Sequence, residues 1–154
     1  MMFRKTTITD IDLLVRLRID YLLDQNAKEN LDNLDVLREN LSKYFTEAME
    51  KDEFIAVIAE EGTEIYTVAF LSIVDRPPRS ARLSCRIGTV YNVYTYPQYR
   101  KRGLATAVMN ALLQEAKAMN LASIDLLASS DGRSLYEKFG FKIPNHTYMR
   151  RSID

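Results

Sequence analysis

The sequence predicts a mixed α/β fold of the α+β kind, in which helices cover a central sheet. Three observations predict it. The apolar runs Phe54–Ala59 and Ile65–Val74 flank the turn Glu61-Gly62-Thr63 and read as a hairpin. Two amphipathic helical stripes come before that hairpin, and strand-like and helix-like stretches alternate after it.

The elements follow in order. Phe3-Arg4-Lys5-Thr6 is a short strand. Thr9 reads as an N-cap, with Asp10 and Asp12 in the first turn, where the helix dipole favours acids. Ile11, Leu14, Val15, Leu17 and Leu22 keep helical spacing to about Leu23. Asp24–Asp35 is polar and rich in Asn, a loop or a broken helix. Leu37, Leu41, Tyr44, Phe45, Ala48 and Met49 form the second stripe. Beyond the hairpin, 75–80 is a loop containing Pro77-Pro78, and Leu83–Tyr96 is strand-rich up to Pro97. Leu104, Ala105, Val108, Met109, Leu112, Leu113 and Ala116 make a third helical stripe. Ser123–Ala128 reads as a strand, and Asp131–Phe139 as a short helix stopped by Gly140. Phe141–Arg151 reads as a last strand region, interrupted at Pro144-Asn145.

At 154 residues, with 47% hydrophobic and 27% charged side chains, the chain is expected to form one domain, 1–154, around one sizeable core. The 21 basic and 21 acidic side chains cancel, so no net charge draws the chain to nucleic acid or a membrane. They are unevenly placed. Residues 1–64 hold 15 acidic and 8 basic side chains, leaving 6 acidic and 13 basic in residues 65–154. Either the first half carries solvated acidic faces, or it lines a site for a cation while the second half binds an anion. A single cysteine, Cys85, rules out an internal disulfide framework. With a single histidine, His146, it leaves no common zinc ligand set, so no metal is expected. No apolar run reaches the ~18–20 residues that span a bilayer. No apolar stretch follows Met1-Met2-Phe3-Arg4-Lys5 as in a signal peptide, so a cytoplasmic protein is expected.

The chemistry concentrates at Arg100-Lys101-Arg102-Gly103-Leu104-Ala105. Three cations stand where a helix begins, although the partial positive charge and unpaired N–H groups of a helix N-terminus favour acids. Gly103 and Ala105 leave the backbone open to close approach. Together they read as a cradle for phosphate or pyrophosphate. A Walker-type loop is excluded, since no Gly-Lys-Ser/Thr follows. No Gly-x-Gly-x-x-Gly marks a dinucleotide fold. Arg76, Arg79, Arg82 and Arg86 could extend a basic face for nucleic acid, but no nucleic-acid motif accompanies them.

Before the cradle runs Val90–Tyr99; after it come the third helix, a strand and Leu135-Tyr136-Glu137-Lys138-Phe139-Gly140-Phe141. With those neighbours, Arg100-x-x-Gly103-x-Ala105 resembles the pyrophosphate-binding signature of the GCN5-related N-acetyltransferase superfamily. The segment Leu135–Phe141 is similar to the C-terminal motif of that superfamily, and the resemblance covers roughly residues 83–142. It implies a mostly antiparallel sheet of about 6–7 strands with about four helices, splayed at the strand before the cradle. It also implies acetyl-CoA, or another acyl-CoA, as cosubstrate. N–H groups from Arg100, Lys101, Arg102, Gly103, Leu104, Ala105 and Thr106 would hold the pyrophosphate. The pantetheine arm would pair along Val93, Tyr94 and Thr95 like an added strand, through the backbone of Val93 and Thr95. Ordinary sheet pairing is the competing reading of those residues.

By the same resemblance, Tyr136 would protonate the departing CoA thiolate, a role a phenol can fill; otherwise it is a packing residue. The Val93 N–H would polarise the acyl oxygen. Some relatives carry a glutamate on the strand before the signature; here that strand offers Tyr91, Asn92 and Tyr94 and no carboxylate. Asp131 is read as a helix cap, and Ser130 as a polar contact near the same helix. Tyr94 either lines the acceptor pocket or packs on the helices. Arg16 and Arg18 are either solvated or set to meet an acidic substrate group. The reaction expected is direct attack of a primary amine of a small molecule on the thioester. The acidic first half leans toward a cationic acceptor. An acyl-CoA-binding module without turnover, and a transferase acting on peptide or protein amines, would carry the same signature. A homodimer is common in the superfamily.

Overall fold

The computed structural model of the protein describes residues 1–25 and 31–153. Five strands form one sheet in the order β1-β2-β3-β4-β5: β1 (Met2–Lys5), β2 (Phe54–Glu61), β3 (Glu64–Arg76), β4 (Cys85–Thr95) and β5 (Ser123–Leu126). The first four pair antiparallel and β5 joins β4 parallel. The helices are α1 (Ile11–Gln25), α2 (Leu34–Glu50), α3 (Leu104–Lys117) and α4 (Arg133–Lys138).

Burial in the central strands explains why β2 reads as an unbroken apolar run. All six residues Phe54–Ala59 are buried, because both faces of the strand are covered. Phe54, Ala56 and Ile58 face α1 and α2, meeting Leu14, Leu17, Phe45 and Phe70. Ile55 and Val57 face the other way, meeting Leu71, Val108, Met109 and Leu112. The period of two along each strand thus divides one apolar run between two cores. Phe45, Phe54 and Phe70 lock the first core, with ring centroids 5.0–5.5 Å apart.

Gly88 on β4 lets the strand approach the second core. A Cβ there would stand 2.9 Å from Leu71 Cδ1 and 3.0 Å from Leu121 Cδ1. Gly88→Ala is expected to lower stability by about 1–3 kcal/mol through overpacking, read as a lower urea midpoint with unchanged slope.

The start of α1 departs from the sequence reading. A 3₁₀ turn, Ile8–Asp10, precedes the helix, and the cap is Thr7, not Thr9. The Thr7 N–H donates to Asp10 Oδ2 at 2.7 Å, so the Asp three residues on closes the turn. Arg4 donates to both Asp10 oxygens and to Glu60, tying β1, α1 and β2 together. The Arg4 hydrogen bond holds the Asp10 carboxyl below its ordinary value. A carboxylate depressed in the folded state adds stability above its unfolded value, near 3.8, and loses it as pH falls through the folded value. Asp10→Asn should therefore narrow the gap in melting temperature between neutral and acid solution, with the loss appearing on the neutral side.

α1 runs two residues past the predicted Leu23. The polar stretch Asp24–Asp35 lies partly outside the described residues, and α2 begins at Leu34 after a 3₁₀ turn at Leu31–Asn33. α4 is not capped by Asp131: its N-cap is Gly132, whose N–H donates to Ser129 Oγ at 3.1 Å. The last strand is a correction, and it brings the count to five rather than 6–7. Phe141–Arg151 forms no ladder. Pro144 lacks an N–H, and the apolar side chains Ile143, Tyr148 and Met149 are exposed, so no face exists to set a register.

The candidate acyl-CoA site

β4 outlasts β5. Their parallel ladder stops at Val90↔Leu126, while β4 continues to Thr95, so its outer edge is open from Tyr91 onward. A β-bulge lies in that stretch. Phe70 pairs with Tyr91 and Val68 with Tyr94, so Asn92 and Val93 together oppose Ala69. Asn92 adopts a left-handed φ of 55°. Beyond the bulge the antiparallel alternation is fixed, because the Tyr96 N–H donates to Tyr66 O on β3. Tyr94 therefore turns its backbone to β3, and Val93 and Thr95 turn theirs to the open edge. The Thr95 carbonyl there already accepts a bond from Arg100 Nε at 2.9 Å. The Tyr94 ring is buried against Tyr21 and Tyr96.

The cradle follows β4 across a 3₁₀ turn, Pro97–Tyr99. Lys101 and Gly103 both take left-handed φ, 61° and 73°. The first bond of α3 runs from the Ala107 N–H to Gly103 O, and no side chain caps the helix. The N–H groups of Lys101, Arg102, Gly103, Leu104, Ala105 and Thr106 thus make no hydrogen bond among the described residues. A Cβ at Gly103 would meet nothing within 4 Å, so the space beside that residue is clear. Lys101 and Arg102 are exposed beside it. Arg100 differs from its neighbours. Its N–H bonds Pro97 O, and its guanidinium bonds Asp24 Oδ2 at 2.7 Å and lies over the Tyr94 ring. It braces α1 against the end of β4.

Tyr136 stands on α4, half-buried, with its ring against Phe141 and the α3-side core. Its hydroxyl makes no hydrogen bond among the described residues. Burial, with the Tyr21 hydroxyl adding, pushes its phenol above the ordinary range, so the proton stays on at neutral pH. Tyr21 packs on the opposite core.

On the α1 side, Asn92 is buried and its Oδ1 accepts from Arg18 Nη1 at 3.1 Å, while its Nδ2 has no partner among the described residues. A buried donor left without an acceptor costs about 1–3 kcal/mol and calls for a ligand group or water. The bulge, the orphaned Nδ2, the open β4 edge and the uncapped α3 together fit the amides and pyrophosphate of an acyl-CoA. Among the described residues no His, Cys, Asp or Glu cluster is arranged to hold a metal.

Sequence reading did not find Tyr21, Tyr44 or the bracing carboxylates Asp20 and Asp24. Asp20 accepts the Tyr96 hydroxyl in a short hydrogen bond. Tyr44 shares a hydroxyl contact with Tyr91 at 3.4 Å. Only the spacing of Arg18 and Tyr21, three apart on α1, could have signalled one of these pairs. Some acids of the first half are held in ion pairs: Asp10 and Glu60 with Arg4, Glu61 with the N-terminus, Asp24 with Arg100. Two of the basic residues named for nucleic acid are engaged too. Arg82 donates to Leu121 and Ala122 carbonyls, and Arg86 to Asp52 O.

A profile of the acetyltransferase (GNAT) family matches residues 14–141. The chain belongs to that family. A predicted acetyltransferase from Clostridium acetobutylicum, solved with acetyl-CoA, is 33% identical. It aligns over 97% of this chain and 95% of its own, with a TM-score of 0.83. A GCN5-related N-acetyltransferase from Ralstonia eutropha is 21% identical over 97% of each chain, TM-score 0.74. Glucosamine-6-phosphate N-acetyltransferase from Arabidopsis thaliana is 20% identical over 99% of this chain and 98% of its own, TM-score 0.70. These last two share the GNAT fold with the chain. A search of curated proteins returns no match. No helix among the described residues is long and apolar enough to cross a membrane.

Proposed function

We propose that this GNAT family member transfers the acetyl group of acetyl-CoA to a primary amine of a small molecule by direct attack, with residues 1–154 as one transferase domain. What supports the proposal is the run of free N–H groups at the start of α3 following the open edge of β4, with Tyr136 packed on the same core as Val93.

Acetyl-CoA supplies the activated acyl carbonyl. The N–H groups of Lys101–Thr106 hold its pyrophosphate, with Lys101 and Arg102 adding charge and Arg100 acting as a brace. The Val93 and Thr95 backbone aligns the pantetheine arm, as an edge strand aligns an added strand. The Val93 N–H, at the bulge, draws charge from the acyl oxygen. As the amine nitrogen bonds to the acyl carbon and the carbon–sulfur bond breaks, Tyr136 Oη gives its proton to sulfur. β4 holds no carboxylate, so the proton lost by the amine passes to water on the α1 side.

The test is thiol release from acetyl-CoA across a panel of primary amines. Amine-dependent release that saturates in amine is the result expected. Tight CoA binding with no amine-dependent release would replace the proposal with a binding module.

A further inference from the structure

Arg18 differs from the other arginines of the first half. Arg4 is bound by two carboxylates, and Arg38 pairs with Asp35. Arg16 lines a groove of about 450 Å³ between α1 and α2 together with the carboxylates of Asp12, Asp20 and Glu39. Arg18 is half-buried and pairs with no carboxylate among the described residues. Its guanidinium lies over the rings of Tyr21 and Tyr91, 5.5 and 5.6 Å from their centroids, and gives one hydrogen bond, to the neutral Asn92 carboxamide. A guanidinium carries five N–H donors, and four of these are left over.

Such a cation is partly desolvated, held against two rings and not neutralised. Aromatic faces hold a guanidinium flat without using its N–H edge. The donors that surround it also lack strong acceptors: Asn92 Nδ2 is orphaned, and the Tyr91 and Tyr44 hydroxyls meet only each other, at 3.4 Å. Burial keeps the Tyr91 phenol protonated, far above its ordinary range, so it cannot serve as the missing anion. A planar oxygen anion is what this geometry accepts, because a carboxylate takes two parallel bonds from one guanidinium edge.

The position fixes the anion's role. Asn92 adjoins Val93 in the chain, so Arg18 stands beside the point where Val93 would polarise the acyl oxygen. We propose that Arg18, positioned by Asn92, Tyr21 and Tyr91, binds a carboxylate carried by the acceptor. The substrate class is then a small amino acid, with its amine directed to the thioester and its carboxylate on the α1 guanidinium. This rests on the acetyl-transfer reading above. It departs from the expectation of a purely cationic acceptor, whose acids at Asp10, Asp24, Glu60 and Glu61 are held in ion pairs.

The experiment compares paired amines that differ only in carboxylate against carboxamide, a series of ω-amino acids and their amides, by kcat/KM for CoA release. The expected result is a preference for at least one carboxylate of about 10- to 100-fold, as for a charge-assisted pair. The preference should vanish in Arg18→Gln and shrink in Arg18→Lys, which keeps charge without the planar fork. Acetyl-CoA affinity of each variant reports the fold. No preference in the unaltered protein overturns the proposal. So does a preference that survives Arg18→Gln, or an equal fall for both members of each pair, which would place Arg18 in the shared reaction. If no amine at all is acetylated, the functional reading fails, and calorimetry of the CoA-loaded protein with N-acetylated ω-amino acids and their amides decides the subsite by itself. Carboxylate-selective binding lost in Arg18→Gln upholds it, and equal or absent binding overturns it.

Discussion

Tyr136→Phe is expected to lower kcat by about 10²-fold or more, the scale of a lost general acid, with little change in the affinity for acetyl-CoA. The substitution removes one oxygen and keeps the ring. The edge contact with Phe141 and the packing on the α3-side core survive, so the melting temperature should move little. That separates a proton donor from a packing residue, the two readings the sequence leaves open. The pH profile gives a second readout. Burial raises the phenol above its ordinary value, so the acid form persists through neutral pH and into the alkaline range. The unaltered enzyme should show no loss of kcat from this group at neutral pH. A kcat within about threefold of the unaltered protein would remove Tyr136 from the chemistry.

Gly103→Ala should weaken acetyl-CoA binding by more than tenfold at a stability cost of only about 1 kcal/mol. The cost comes from placing an L side chain at φ 73°. The binding loss is expected to have a separate origin: the new methyl takes up space, clear of protein, in the middle of the run of free N–H groups. Gly62 supplies the control. It sits in the β2–β3 turn at φ 61°, also with nothing within 4 Å of an added Cβ. Gly62→Ala carries the same backbone strain and should leave acetyl-CoA affinity unchanged. Equal effects of the two substitutions on affinity would mean that Gly103 matters only as a turn residue.

Much of the fold is legible because its signals are local. The unbroken run Phe54–Ala59 announces a strand covered on both faces, and the spacing of Leu104, Val108, Met109 and Leu112 announces α3. The caps are less legible, because several polar residues compete near each helix start. Thr7 with Asp10 defeats Thr9, and Ser129 with Gly132 defeats Asp131. The tail reads as a strand because Ile143, Tyr148 and Met149 resemble strand residues, yet in the fold they are exposed and form no ladder. In the site, the cradle is legible because three cations before a helix contradict local electrostatics. The Arg100 brace is not, since its partner Asp24 lies 76 residues away and no local rule links them. For Arg18 the sequence offers solvation or an acidic substrate group, but not its ring and Asn92 neighbours from α1 and β4; the Asn92 bulge exists only in the register between β3 and β4.

A structure of the protein bound to CoA tests whether one path runs from α3 along β4 to Tyr136. Pyrophosphate oxygens should lie within hydrogen-bonding distance of the Lys101–Thr106 N–H groups. Pantetheine amides should lie on the Val93 and Thr95 edge, with the sulfur beside Tyr136 Oη. A pyrophosphate bound away from α3, or a sulfur on the far side of β4 from Tyr136, would contradict it.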